Sequence, residues 1–302
     1  MPSVSLSEDD WDNLLQRIDD KECTPFIGAG ASAGTVPLAS ELAERWARQY
    51  KFPLKESKNL GHVAQFLAIT RDGMFPKRLF RGLLRETPSP DFSERREPHS
   101  ALADLKLPIY LTTNYDSFMF QALKSRELNP SWKVCPWNEL IRERSAAILD
   151  AEPNPADPLV YHLHGHYEIP QSMVLTEDDY LEFLVRLNRD ASEPLLPSVI
   201  RTALAEHSLL FVGYSLSDWS FRVLFRGVIG SLGATLGSTS IAVQLDPLTR
   251  DPPAEWLNQA QQYLQDYFRQ IQKLKVLVYW GDARKFACEL SERWNAFGGN
   301  GR

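Results

Sequence analysis

Four short groups of small and polar residues are the part of this sequence best suited to chemistry. They are GAGASAG at 28–34, TTNYD at 112–116, HLHGH at 162–166 and FVGYSLSD at 211–218. Small side chains let a backbone approach a pyrophosphate, and an asparagine both donates and accepts hydrogen bonds. A neutral histidine can act as a general base near pH 7. These residue types suit a ribose-phosphate ligand with proton transfer beside it.

The glycine loop is a weak signal by itself. Its spacing is GxGxxxG, and Ala33 stands where the third glycine of the commoner GxGxxG fingerprint would fall. A tight strand-to-helix turn that binds nothing explains the same residues. A Walker A phosphate loop is excluded, because no Gly-Lys-Ser/Thr follows.

The other groups also have ordinary structural explanations. Asn114 or Asp116 could cap the helix that follows. The three histidines recur with period two, which would place them on one face of an extended segment. This pattern could indicate a metal site, but the spacing supplies no further metal ligand. His164 could be a hydrogen-bonded core residue. Asp246, at the end of a later apolar run, could cap a turn or accept hydrogen bonds from a ribose.

These groups must be positioned by the strands that precede them. Short apolar runs alternate with amphipathic helical patterns along the chain, which predicts an α/β fold with a mostly parallel sheet covered by helices on both faces. The strands are predicted at 23–27, 109–113, 159–164, 208–213, 239–245 and 276–280. In such sheets ligands bind beyond the carboxyl ends of the strands, where the polar groups are found.

Composition narrows the class of protein. The 302 residues are 43% hydrophobic with a net charge of -6, which excludes a disordered chain and makes generic nucleic-acid binding unexpected. The acidic N-terminus is unlike a secretory signal, and no apolar run approaches the ~20 residues of a membrane span. We therefore expect a cytoplasmic protein that neither binds nucleic acid directly nor enters a membrane.

Taken in order, Gly-Ala-Gly-Ala-Ser at 28–32, Thr-Asn-Tyr-Asp at 113–116, Leu-His-Gly at 163–165 and Gly-Tyr-Ser at 213–215 resemble the sirtuin-like superfamily. The resemblance covers roughly residues 20 to 285. It implies a Rossmann-like fold with a helical insertion module, and NAD as the ligand. We expect one sirtuin-like NAD-binding domain over 1–302, with helical insertions around 50–100 and 117–158 or 176–206.

The resemblance also implies roles for individual residues. Asn114 and His164 match the catalytic asparagine and histidine, and Asp116 matches the acid that closes the asparagine motif. The residues expected to contact NAD are Gly28, Ala29, Gly30, Ser32, Asp116, Gly213, Tyr214, Ser215 and Asp246. The roles of His162 and His166 stay open.

Two departures separate this chain from protein deacetylases of the family. Those enzymes carry four zinc-binding cysteines, whereas this chain has only Cys23, Cys135 and Cys288, with no CxxC pair. The Asp-Phe-Arg segment expected after the glycine loop is replaced by Val-Pro-Leu-Ala-Ser at 36–40. No zinc is expected, and the chain is similar to the zinc-free NAD hydrolases of bacterial anti-phage defence.

The resemblance predicts cleavage of the nicotinamide-ribose bond of NAD, giving nicotinamide and ADP-ribose and depleting NAD as a defence effector. Because unregulated activity would be toxic, we expect a homo-oligomer activated by assembly or by a co-encoded partner such as a HerA-type ATPase or a short Argonaute. The alternatives are an ADP-ribosyl transferase or deacylase, and a non-catalytic module that senses NAD or ADP-ribose. The sequence leaves open the activating signal and whether the ADP-ribose is linear or cyclic.

Overall fold

The computed structural model describes residues 6–144, 152–187, 195–215, 240–246, 253–272 and 275–299. Within these residues seven strands form one parallel sheet, in the order β3-β4-β2-β1-β5-β6-β7. The strands are β1 Cys23–Ile27, β2 Ile109–Thr112, β3 Ser131–Val134, β4 Leu159–His162, β5 Ser208–Ser215, β6 Ser240–Asp246 and β7 Lys275–Trp280. The predicted α/β class with a Rossmann-like parallel sheet is confirmed.

Helices connect the strands. They are α1 Glu8–Asp19, α2 Ala39–Gln49, α3 Leu60–Thr70, α4 Phe75–Glu86, α5 Pro98–Ala103, α6 Phe118–Ser125, α7 Glu139–Arg144, α8 Glu177–Leu187, α9 Ser198–Glu206, α10 Ala254–Gln272 and α11 Ala283–Gly299. Helix α1 begins at Glu8 because Ser7 caps it: the side-chain oxygen of Ser7 accepts a hydrogen bond from the backbone N–H of Asp10.

Both faces of the sheet are buried, and β5 shows how the sequence arranges this. Leu209 and Phe211 pack into the core beneath α8, α9 and α10, whereas Leu210 and Val212 pack into the core beneath α1, α6 and α11. Alternate residues of a strand point to opposite faces, so a strand covered on both sides must be apolar throughout. The continuous apolar run of β5 therefore reflects its central position.

A helical module lies between β1 and β2. Helices α2, α3 and α4 have their own apolar core, which includes Trp46, Leu67 and Phe80. That core also takes in Met173 and Leu175, from the segment after β4, and packs against Tyr115. The module therefore contacts the residues that follow two of the central strands.

One strand was not predicted, and several strand ends differ from those predicted. The edge strand β3 was not predicted, because its residues Ser-Trp-Lys-Val are only partly buried and do not form an apolar run. Strand β4 ends at His162 rather than 164, and β5 continues to Ser215 rather than ending at Gly213. The Ser217 and Asp218 of the fourth polar group lie outside the described residues.

Candidate functional site

The glycine loop after β1 folds as a tight 3-10 turn packed against β5. The turn covers Ala29–Ser32. A Cβ on Gly28 or Gly30 would lie 2.9 or 2.8 Å from the carbonyl oxygen of Gly213, closer than side chains approach. These glycines are therefore required for contact between loop and strand. The exposed side of the turn, at Ala29 and Gly30, is where a phosphate could approach the backbone.

Gly213 forms the other half of that contact. Its φ of +82° is in the region that favours glycine, and the register of β5 with β6 shifts between Phe211 and Tyr214. The N–H of Gly213 donates to Oε1 of Gln244 at 2.8 Å, and Nε2 of that buried side chain donates to the carbonyl of Gly281. Sequence reasoning missed Gln244. The available signal was one amide within the apolar run Ile-Ala-Val-Gln-Leu.

Asn114 is joined to the glycine loop through its side chain. Its Nδ2 donates to the carbonyl oxygen of Gly28 and to Oγ of Ser32, each at 3.1 Å. Because a carbonyl can only accept, the atom facing Gly28 must be the amide nitrogen. Both N–H groups are then engaged, which leaves the amide oxygen Oδ1 as the atom that could accept a hydrogen bond from a ligand.

Asp116 completes this network. Its Oδ2 accepts a hydrogen bond from Ser32 Oγ at 2.9 Å, and its Oδ1 accepts one from the N–H of Phe118 at 3.0 Å. The carboxylate thus orients the serine and also satisfies an N–H of the first turn of α6. The network is buried, because Ser32, Asn114 and Asp116 are only 4%, 7% and 8% exposed.

His164 lies just beyond β4 and is 4% exposed. Its ring contacts Tyr180 and Phe183 of α8 edge-on, with centroids 5.2 and 5.1 Å away. Its Nε2 is buried and has no hydrogen-bond partner within the described residues. Burial lowers the pKa of His164 to about 3, so the ring is neutral at pH 7.

The register of the sheet relates Asn114 to His164. Thr112 of β2 pairs with His162 of β4, and the two candidate catalytic residues each follow two positions later. The segments are also joined beyond the strands, since Tyr115 donates from its hydroxyl to the carbonyl of Val174 at 2.5 Å, and Val174 donates to the carbonyl of His164 at 2.9 Å. Sequence reasoning treated Tyr115 only as part of the motif and missed this contact.

The three histidines do not share one face, so that prediction is wrong. The strand ends at His162, and Gly165 turns the chain with φ +86°. His166 stacks on Trp132 with ring centroids 4.3 Å apart, on a different side from the α8 contacts of His164. Within the described residues, no group of three His, Cys, Asp or Glu could hold a metal ion.

The remaining predicted residues follow β5 and β6. Tyr214 covers Gly28, and its hydroxyl lies 3.3 Å from Oγ1 of Thr113. Ser215 pairs in register with Asp246, so the two strand ends are adjacent. The side chain of Asp246 is outside the described part of the chain. The structure thus brings the loop, Asn114, Asp116 and Gly213 into direct contact and places Ser215 and Asp246 on the next two strands along the same edge of the sheet.

The described residues also form a groove away from the candidate site. A groove of about 750 Å³ beside α11 has a lining of mixed charge that contains none of the predicted site residues: Arg96, Asp282, Arg284, Lys285, Cys288, Glu289, Glu292 and Arg293. In the same part of the chain, no helix has the length and apolar character needed to cross a membrane.

A parallel sheet that gathers a glycine turn, an asparagine and a histidine beyond its carboxyl ends defines a Rossmann-like α/β protein. Comparison with protein families matches residues 108–268, just over half of the chain, to the SIR2-like domain. The chain therefore belongs to the SIR2-like family, and the resemblance seen in its motifs is confirmed.

Curated relatives include the NAD(+) hydrolase ThsA of Enterococcus faecium, 26% identical over 67% of this chain and 39% of that protein. ThsA of Bacillus cereus (strain MSX-D12) is 26% identical over 68% of this chain and 40% of its own length. Defense-associated sirtuin 2 of Bacillus subtilis is 27% identical over 67% of this chain and 19% of its own length. The matched region thus spans two fifths or less of these relatives.

A solved chain described under "Structural Basis for the Mechanism and Regulation of Sir2 Enzymes" covers 97% of this protein. It is 13% identical, with a TM-score of 0.41.

Proposed function

We propose that this protein hydrolyses the nicotinamide-ribose bond of NAD, releasing nicotinamide and ADP-ribose, as an NAD-depleting effector of anti-phage defence. The observation that carries the proposal is the buried network in which Gly28 and Ser32 fix the amide of Asn114. It joins a phosphate-binding type of turn to a residue able to orient water. Relatives named NAD(+) hydrolase and defence-associated sirtuin support the same reaction.

In this proposal Asn114 orients the nucleophile. Departure of neutral nicotinamide leaves an oxocarbenium-like ribose, so the site must hold a water molecule close to the anomeric carbon. With both N–H groups bound to the glycine loop, Oδ1 of Asn114 accepts a hydrogen bond from that water or from a ribose hydroxyl. Asp116 acts through Ser32 to keep the amide in this orientation.

His164 serves as the acceptor on the other side of the ribose. Because burial lowers its pKa to about 3, it is unprotonated throughout the neutral range and can accept a hydrogen bond from a ribose hydroxyl or from the water. The same low pKa makes complete proton uptake costly. We therefore assign His164 to polarising a hydroxyl of the bound substrate rather than to storing a proton. Water bonds to the anomeric carbon as the bond to nicotinamide breaks, and the proton that the water loses is released to solvent.

The diphosphate and adenosine are assigned to the neighbouring strand ends. The backbone of exposed Ala29 and half-buried Gly30 would face the phosphates, Gly213 to Ser215 would border them, and Asp246 would accept from the adenosine ribose. We propose that the sheet and the α2–α4 module act together as one NAD-binding domain, without zinc.

Activity is proposed to depend on assembly. Uncontrolled cleavage of NAD would harm the host, so we propose a cytoplasmic homo-oligomer that is activated on assembly or by a co-encoded partner such as a HerA-type ATPase or a short Argonaute. Support for this comes from the family alone.

The proposed reaction is tested by product analysis. The purified protein is incubated with NAD, with and without the product of the neighbouring gene, and the nucleotides are separated by liquid chromatography. We expect nicotinamide and linear ADP-ribose in equal amounts. Nicotinamide release that requires an acceptor protein or nucleic acid would instead indicate transfer, and NAD binding without any nicotinamide release would indicate a sensing module.

A further inference from the structure

His162 is a buried histidine that the proposed reaction does not use. It ends β4 and is 1% exposed. Its Nδ1 lies 3.1 Å from the backbone carbonyl oxygen of Asn114. A carbonyl only accepts hydrogen bonds, so Nδ1 must carry the proton and donate. Burial lowers the pKa of His162 to about 4, so at pH 7 the ring is neutral and Nε2 carries a lone pair.

The other ring nitrogen of His162, Nε2, makes no hydrogen bond in the described part of the chain that would favour a histidine at this position. Nε2 of His162 is buried and has no hydrogen-bond partner within the described residues. The ring of His162 packs against two others: its centroid lies 6.1 Å from that of Trp132 and 4.7 Å from that of His166. An apolar side chain would fill such a place without burying an unpaired nitrogen, which is unfavourable. The advantage of histidine here must come from Nδ1.

The bond from Nδ1 fixes the peptide unit that carries Asn114. At this point the chain leaves the β-ladder, whose last bond here runs from the N–H of Leu163 to the carbonyl of Thr112. Asn114 is then held at its N–H by Thr112 Oγ1 at 3.0 Å and at its carbonyl by His162. With both ends of the backbone held, its side chain is aimed at the glycine loop.

His166 does not share this role. Its Nδ1 accepts from the N–H of Glu168 at 3.3 Å, so Nε2 carries the proton and donates to Oγ of Ser117 at 2.8 Å. The ring stacks on Trp132. His166 thus makes no hydrogen bond to Asn114, and it supplies a control from the same motif.

We propose that His162 is a positioning residue: its Nδ1–H holds the backbone carbonyl of Asn114 and so keeps the Asn114 amide oriented for NAD hydrolysis. The inference rests on the proposed function. It concerns a residue that touches no substrate and acts only through Asn114.

Substitution of His162 by Asn or by Gln distinguishes the role of Nδ1 from that of Nε2. In His162→Asn the amide nitrogen is attached to Cγ, as Nδ1 is, and can donate to the same carbonyl. In His162→Gln the amide nitrogen lies one atom further along, near the place of Nε2. Both variants remove the imidazole and bury a neutral amide, so both should have lowered thermal unfolding midpoints, and His162→Gln, which also leaves the Asn114 carbonyl without its donor, should have the lower one.

We expect kcat for nicotinamide release to fall about tenfold or more in His162→Gln, with KM within about threefold of wild type, because one orienting hydrogen bond is lost. His162→Asn should retain kcat within about threefold, and His166→Gln should retain it as well. Equal kcat values in the two His162 variants, or a change confined to KM, would overturn the proposal.

A nitrogen-15 NMR spectrum of the wild-type histidines gives a readout that is independent of turnover. We expect the His162 signal to show a protonated Nδ1 and an unprotonated Nε2, unchanged between pH 5.5 and 8. A protonated Nε2, or titration near pH 6.5, would overturn the assignment even if the variants fail to fold. Wild-type protein that releases no nicotinamide would contradict the proposed function, while the NMR result would still decide whether His162 holds Asn114.

Discussion

Replacing Gly213 with alanine should destabilise the protein through two separable effects. Gly213 has φ +82°, and a Cβ there would lie 2.3 Å from the backbone nitrogen of Ala31 and 2.7 Å from the carbonyl oxygen of Gly28. The left-handed backbone costs about 1–2 kcal/mol for a residue with a Cβ. Contact with backbone atoms that cannot rotate away adds about 1–3 kcal/mol. We expect the free energy of unfolding to fall by about 2–5 kcal/mol.

Two other glycines supply matched controls. Gly34 has φ +85°, but a Cβ there would come no closer than 4.0 Å to its nearest neighbour, Nη2 of Arg284. Gly34→Ala should therefore show the backbone cost alone, about 1–2 kcal/mol. Gly73 lies outside the left-handed region and has no atom within 4 Å of a Cβ, so Gly73→Ala should be neutral or stabilising by up to about 1 kcal/mol.

Urea unfolding followed by circular dichroism measures these differences as shifts of the midpoint at constant m-value. The expected order of stability is Gly73→Ala, then Gly34→Ala, then Gly213→Ala. A Gly213→Ala protein no less stable than Gly34→Ala would refute the close packing of the glycine loop on β5.

Two further predictions concern the surroundings of the site. Tyr115→Phe removes the hydroxyl that bonds Val174, so we expect kcat to fall about tenfold, whereas Tyr110→Phe, which loses hydroxyl bonds to Leu107 and Leu102, should lower stability by about 1 kcal/mol and leave kcat unchanged. Equal effects on kcat would contradict a special role for Tyr115. The second prediction is loss of stability in mild acid, because burial lowers the pKa values of His162, His164 and His166 to about 4, 3 and 2. Below pH 6.5 the unfolded chain takes up protons that the folded protein does not, so the unfolding free energy, measured in urea, should fall by about 3–4 kcal/mol between pH 6 and 5. An unfolding free energy that does not change between pH 6 and 5 would show that these histidines are protonated as readily in the folded protein as in the unfolded chain.

The sequence was sufficient to predict most strands and the edge of the sheet at which the candidate site residues lie, because both depend on local patterns. Apolar runs such as Leu209 to Val212 identify buried strands, and the polar groups that follow them must lie at the carboxyl ends. Strand β3 was missed because this edge strand is only partly buried, and its residues Ser-Trp-Lys-Val do not form the apolar run of a buried strand.

Contacts within the site could not be predicted from spacing. The bond from Ser32 to Asp116 joins residues 84 positions apart, and it forms only because β1 and β2 are neighbours in the sheet. The period-two reading of the histidines failed because Gly165 ends the extended segment. The glycines of the loop were expected to admit a phosphate, but their missing side chains also make room for Gly213.

Nicotinamide release by matched single variants shows whether Asn114 and His164 act in NAD hydrolysis as we propose. Loss of one preorganised hydrogen bond to the transition state costs about 10²–10³-fold, so Asn114→Ala and His164→Ala should each lower release by that factor, while a surface control, Asn13→Ala, stays at the wild-type rate. Circular dichroism would confirm that all four proteins are folded. Asn114→Ala and His164→Ala proteins that release nicotinamide as fast as wild type under activating conditions would contradict the account.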